Sequence, residues 1–140
     1  MQSLHSNSRG QVTFEYLLIT AAFFSFMLVL LGPLEQALDT AIFSMDVISA
    51  EHFSERLALS SESLSMLGIG SSKKVESRVL TEWHIYRGAE NAFLEVRSAK
   101  LSKAKEFSLQ INADFPEMSF TKNARIIMVN DENGLTINSY

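Results

Sequence analysis

The hydrophobic and polar positions of this chain fall into three successive patterns. The first is a greasy run: positions 16–34 hold no charged residue, and Leu, Ile, Phe, Met, Val and Ala predominate. At about 1.5 Å per residue a helix over this run is roughly 28 Å long, close to the ~30 Å hydrocarbon thickness of a bilayer. It is apolar all round, unlike a core helix with a polar stripe. It also exceeds the ~7–15 residues of a secretory signal's apolar region, and it ends in Gly32-Pro33-Leu34-Glu35 without a small-x-small cleavage site. The pattern predicts a retained membrane span.

The second pattern is amphipathic. Leu34, Leu38, Ala41, Met45, Ile48 and His52 follow alternating steps of four and three, and Phe53, Leu57, Leu64 and Leu67 continue the apolar side with some drift. Glu35, Gln36, Asp39, Asp46, Glu51, Glu55 and Arg56 lie mainly elsewhere. This spacing predicts that the helix continues, with a seam suited to a partner surface. Pro33 removes a backbone donor and crowds the preceding turn, so a kink is expected after Gly32. A helix from Val12 to Leu67 would be about 84 Å long. No fold of this size covers such a helix, so much of its surface must meet lipid or other subunits.

The third pattern has a period of two. "LGIGSSKK" ends the helix with two glycines and two serines. After it Val75, Ser77, Val79, Thr81, Trp83 and Ile85 share one face, and Glu76, Arg78, Glu82, His84 and Tyr86 the other. "YRGAENA" predicts a turn, and "EFSLQINAD" places Phe107, Leu109, Ile111 and Ala113 inward. "ARIIMVN" and "LTINSY" flank Asp131-Glu132-Asn133-Gly134, which reads as a hairpin. About five short, mostly antiparallel strands make a small sheet with one wet face, and the amphipathic half of the helix is its natural cover. The expected fold is α+β: a long N-terminal hydrophobic helix continuing into an amphipathic helix that packs on a small antiparallel sheet.

Charge and composition narrow the function. The formal net charge of −4 gives no reason to expect nucleic acid as a partner. Without cysteine there are no disulfides, thiolate metal sites or cysteine nucleophile. Arg9 precedes the span, and the next basic residue after it is Arg56, so the Arg9 side is expected in the cytoplasm and everything after the span outside.

The edge of the span carries a motif. In "RGQVTFEYLL" a basic residue and a glycine precede Gln11, and Glu15, the one charge at the mouth of the run, is fifth from Gln11. This stretch resembles the class III signal peptide of archaeal type IV pilin-like proteins, with Thr13 where the family usually has Ser. The resemblance implies a leader, residues 1–10, cut by a membrane-embedded prepilin peptidase between Gly10 and Gln11. The recognition motif would be Arg9, Gly10, Gln11, Thr13 and Glu15. It further implies a span and filament-core helix over 11–33, an amphipathic continuation over 34–67, a linker over 68–73 and a small extracellular β domain over 74–140. The partners implied are the peptidase, other copies or other pilins, membrane lipid, and an assembly platform with its ATPase. The precursor would sit in the cell membrane and the assembled subunit in a surface filament of the kind that serves adhesion. No cofactor or enzymatic activity is implied.

Glu15 fits an assembly role on physical grounds. A carboxylate at the centre of a span costs about 2.5–3.5 kcal/mol by insertion scales, and less near the interface. In bacterial relatives its partner is thought to be the free amino end of a neighbouring subunit, which cleavage at Gly10 would create here. A freed Gln11 can cyclise to pyroglutamate, and Glu15 would then need a hydrogen bond or a proton. The bland reading is a flanking charge that snorkels to the headgroups.

Other residues are weaker candidates. His5, His52 and His84 have no ligand spacing, and Trp83 reads as core bulk. No catalytic order, phosphate loop or metal cluster is visible. The basic stretch 97–106 reads as a solvated loop or turn. The absence of an Asn-x-Ser/Thr sequon departs from many archaeal pilins and suits a minor subunit. The alternatives are a membrane-anchored protein whose β domain binds a ligand without polymerising, and an archaellin-like subunit, for which the stretch after Ser72 is short.

Overall fold

The fold is seen in a computed structural model, which describes residues 7–88, 91–111 and 113–140, with side chains from Gln11 onward. Helix α1 runs over Asn7–Leu67 with Pro33 inside it, so the helix continues through the proline. It stops where the glycines are: Gly68 takes φ +85°, the left-handed value that ends helices at low cost. The open carbonyls of the last turn are then satisfied from outside. Asn130 Nδ2 donates to Leu64 O (3.1 Å) and Gly68 O (3.2 Å), and Ser71 Oγ donates to Gly68 O (2.7 Å). Gly70 N donates to Asn130 O at 2.7 Å, and Asn130 N to Ser71 O at 2.9 Å. The expected flexible joint is thus tied down, and the first strand begins inside it, at Ser72.

The chain divides into two units, Met1–Leu38 and Asp39–Tyr140. The second contains the rest of the helix and seven strands: β1 Ser72–Arg78, β2 Glu82–Arg87, β3 Ala92–Ser98, β4 Lys103–Leu109, β5 Met118–Phe120, β6 Asn123–Asp131 and β7 Gly134–Ser139. They form a three-stranded sheet, β1-β6-β7, and a four-stranded sheet, β4-β3-β2-β5, with every strand pair antiparallel. The expected hairpin is the β6–β7 turn, where Asp131 pairs with Gly134 and the Asp131 carboxylate accepts the Asn133 N–H at 2.8 Å. The "YRGAENA" turn closes with Gly88 N donating to Asn91 O at 2.8 Å.

Seven strands in two sheets, rather than about five in one, is a correction with a local cause. The alternation from Val75 to Ile85 is not one strand. Ser77 pairs with Ala124 and Val79 N donates to Lys122 O, but Trp83 pairs with Phe120. Between those points one chain spends three residues, 80–82, and the other spends one, Thr121. Two extra residues form a bulge that bends the chain and divides both long strands. Alternation survives because an even insertion keeps each side chain on its own face, so the sequence pattern carries no trace of the break.

The helix supplies what the bulge lacks. Asp46 is fully buried, and its carboxylate accepts hydrogen bonds from Leu80 N (3.0 Å), Thr81 N (2.9 Å) and the Thr81 hydroxyl. The spacing of apolar residues puts Asp46 on the polar side, and the structure does not. Asp46 is instead the helix's anchor in the sheet.

The seam needs the same correction. Ala50, Phe53, Leu57 and Leu64 are buried and Phe43 and Val47 pack against them, a regular stripe over the second unit. Met45 and Ile48 are exposed, as are His52, Leu67 and, in the first unit, Leu34 and Leu38. The helix carries two apolar stripes, and the step from His52 to Phe53 passes from one to the other. The core they build is centred on Trp83, wholly buried with its ring 5.4 Å from that of Phe53, as expected for core bulk. Leu94, Val96, Ile126 and Met128 belong to the same buried cluster. Leu109 and Ala113 are buried and Phe107 and Ile111 half-buried, in line with the inward face read from "EFSLQINAD".

Candidate functional site

The most exposed chemistry lies on the N-terminal helix. Every residue over 11–38 is exposed, including Phe14, Leu17, Ile19, Phe23, Phe24, Leu28 and Val29. By length and composition the described helix, Gln11–Leu67, is long and apolar enough to cross a membrane, and its most apolar window buries nothing. Its hydroxyls are already satisfied: Thr20 Oγ1 donates to Tyr16 O at 2.7 Å and Ser25 Oγ to Ala21 O at 2.8 Å. Such internal pairing is what a hydrocarbon environment requires.

Glu15 is the one charged residue from Gln11 to Leu34, and it is exposed. Among the described residues it has no hydrogen bond or ion pair. It stands one turn beyond Gln11, so the two share a face. Thr13, also exposed, lies between them. The backbone of Arg9 and Gly10 is helical, and their side chains, like the rest of the leader, lie outside the described residues. The Gly10–Gln11 bond lies in the first turns of the described helix. Around Gly32 nothing comes within 4 Å of where a Cβ would be, so the helix is open on that side too.

The outer face of the four-stranded sheet is the second candidate. A concavity of about 570 Å³ is lined by His84, Tyr86, Glu95, Arg97, Glu117 and Ser119, among others. His84 is half-buried with Nε2 3.2 Å from Glu82 Oε1, consistent with the polar strand face expected for it. Arg97 is held by Glu95 at 2.8 Å, and that bond raises the guanidinium pKa further. Tyr86 stacks on Phe93 with ring centroids 5.7 Å apart. Gly88 makes room for that stack, since a Cβ there would come within 2.6 Å of the Phe93 ring. Burial and the nearby Glu106 push the Tyr86 phenol up from its usual 10.0.

A third depression, about 700 Å³, lies between Phe43, Val47 and Ile48 of the helix and Ser102 with the start of the edge strand β4, Lys103 to Lys105. The basic stretch 97–106 is accordingly a strand end, a turn and an edge strand. Within it Lys100 pairs with Asp39 at 3.1 Å, and Lys103 and Lys105 put charge on an edge that would otherwise invite strand pairing. His52 is exposed beside Glu55 (3.5 Å), and His5 lies outside the described residues. Among the described residues no group of three His, Asp or Glu is placed to hold a metal ion.

Sequence reasoning passed over Asp46, and the signal that finds it is position. Asp46 falls between Phe43 and Val47 in the regular buried stripe, where a carboxylate must have donors. No protein-family model, curated protein or solved structure matches this chain.

Proposed function

We propose that this protein is a structural subunit of an archaeal type IV pilus-like surface filament, made as a membrane precursor and freed for assembly by cleavage between Gly10 and Gln11. One observation carries the reading. An exposed, apolar helix bears a single charge, Glu15, five positions into the sequence that would follow cleavage, and that charge has no partner among the described residues. Burying these side chains is favourable by about 1.5–3 kcal/mol each for the larger ones, tens of kcal/mol in total. Lipid supplies this burial in the precursor, and neighbouring helices supply it in the filament. Exchanging lipid for protein needs close approach of backbones and partners for polar groups. Ala21, Ser25 and Gly32 lie near one face of the helix and suit the first need; Glu15 provides the second. The peptidase, the assembly platform with its ATPase, and further pilin copies are the partners this reading requires.

The test is mass spectrometry of the N-terminal peptide from membranes and from sheared surface filaments, followed by the Glu15→Ala variant. A peptide starting at Gln11 or its pyroglutamate, present in filaments, is the expected result. Glu15→Ala should be cleaved normally and be lost from filaments. An intact Met1 end found only in membranes would leave a simple anchored β domain, and normal filaments from Glu15→Ala would remove the assembly role.

A further inference from the structure

The outer surface of the sheets changes sign at the bulge. On β1 and β6 the outward positions include Lys74, Arg78 and Arg125, all exposed, while their neighbours Val75, Ala124 and Ile126 point into the core. The carboxylates among them are both engaged: Glu76 is the register partner of Arg125 and accepts the Tyr140 hydroxyl, and Asp131, at the far end of β6, accepts the Asn133 amide. Arg56 of the helix adds a fourth cation, donating to Glu76 O at 2.9 Å. Beyond the bulge the balance reverses. Glu82, Glu95, Glu106 and Glu117 face outward on or beside the four-stranded sheet, against Arg97 alone and a His84 already turned to Glu82. Glu95 and Glu106 are direct register partners, a like-charge pairing that an isolated sheet does not favour. The concavity beside them offers a seat for long basic side chains.

We propose that the basic β1–β6 face of one copy docks on the acidic β2–β3–β4 face of a second copy. The contact joins two different surfaces of the same chain, so it does not close on itself and can repeat along an array. Charge complementarity of this kind sets register and speeds encounter more than it adds affinity. The contact does not depend on leader cleavage or on the filament reading.

The chain has no cysteine, so single-cysteine variants report cleanly. Full-length Lys74→Cys and Glu117→Cys proteins, both at exposed positions, would be oxidised in detergent separately and mixed. The mixture should give at least about fivefold more disulfide-linked dimer than either alone. Raising salt from about 0.1 M to about 1 M shortens the screening length from about 10 Å to about 3 Å and should cut that yield several-fold. Reversing either face, Lys74→Glu/Arg125→Glu or Glu106→Lys/Glu117→Lys, should weaken self-association, and mixing the two reversed proteins should restore it. All variants keep the same apolar helix, so association through it contributes equally to every sample. Equal crosslinking of unmixed and mixed samples, salt-independent yield, or failure of the reversed pair to rescue each other would overturn the proposal.

Discussion

Removing the Asp46 carboxylate is the sharpest test of how the helix holds the sheets. Asp46→Ala takes one acceptor group away from three donors: the Leu80 and Thr81 amides and the Thr81 hydroxyl. Hydrogen bonds to a charged group contribute about 1.5–3 kcal/mol each, and a stranded buried donor costs about 1–3 kcal/mol. Two effects oppose the full sum. The hydroxyl can turn to another acceptor, and the variant no longer buries a charge. A net loss of about 2–4 kcal/mol follows. Asp46→Asn keeps the shape and one acceptor oxygen but aims an amide donor at donors, so it should fall between Asp46→Ala and wild type. Thr81→Val removes one donor and leaves the amides bonded, for a loss of about 1 kcal/mol. Urea unfolding of the full chain in detergent reads these losses as shifts of the midpoint at constant slope. Trp83 is the chain's only tryptophan and lies wholly buried close to this junction, so its fluorescence reports the transition. A Asp46→Ala midpoint within about 0.5 kcal/mol of wild type would refute the account of the bulge.

Two further outcomes can be measured on the same material. Phe53→Ala should cost about 3–5 kcal/mol as a large core truncation, whereas Ile48→Ala, on the exposed stripe, should stay within about 0.5 kcal/mol; equal losses would mean the stripes are misassigned. The Tyr140 phenol is raised above its usual 10.0, chiefly by its hydrogen bond to Glu76. Because the folded form holds the proton more tightly, this stabilisation is fully present below pH 10.0 and is lost as pH rises through the raised value. Glu76→Ala should lower the Tyr140 midpoint in an alkaline absorbance titration, and an unchanged midpoint would remove the bond as the cause.

The sequence made the large divisions of the fold legible because each rests on a strong signal. An uninterrupted apolar run, a glycine pair after Leu67, strict alternation in "EFSLQINAD" and the 131–134 turn each specify local structure with little help from the rest of the chain. What stayed hidden depends on pairing. The bulge at residues 80–82 keeps the alternation in phase, so only its partner strand reveals it. The choice between the helix's two stripes is likewise decided by the sheet, since Met45 and Ile48 are as apolar as Phe43 and Val47. Asp46 looked polar-side because the wrong stripe had been assigned to the core. On the N-terminal segment the reading rests on the motif at Arg9–Gly10–Gln11, Thr13 and Glu15, which the proposed function assigns to a partner enzyme and not to this chain's own packing.

The two carboxylates of the helix make the functional argument by contrast. Asp46 is taken out of water only because three donors from one loop converge on it. Glu15 belongs to a segment of the same helix that water does not suit, yet no donor from the described residues reaches it. Its neighbours Val12, Phe14, Leu17 and Leu18 are apolar and exposed. A carboxylate in an apolar environment is costly unless it recruits a hydrogen-bonding group from outside. Recruitment makes the residue informative to a partner, because only a neighbour presenting a donor at the right height relieves the cost. In the proposed filament Glu15 would be a register mark rather than only a weak point in lipid, and the Glu15→Ala experiment separates those two roles.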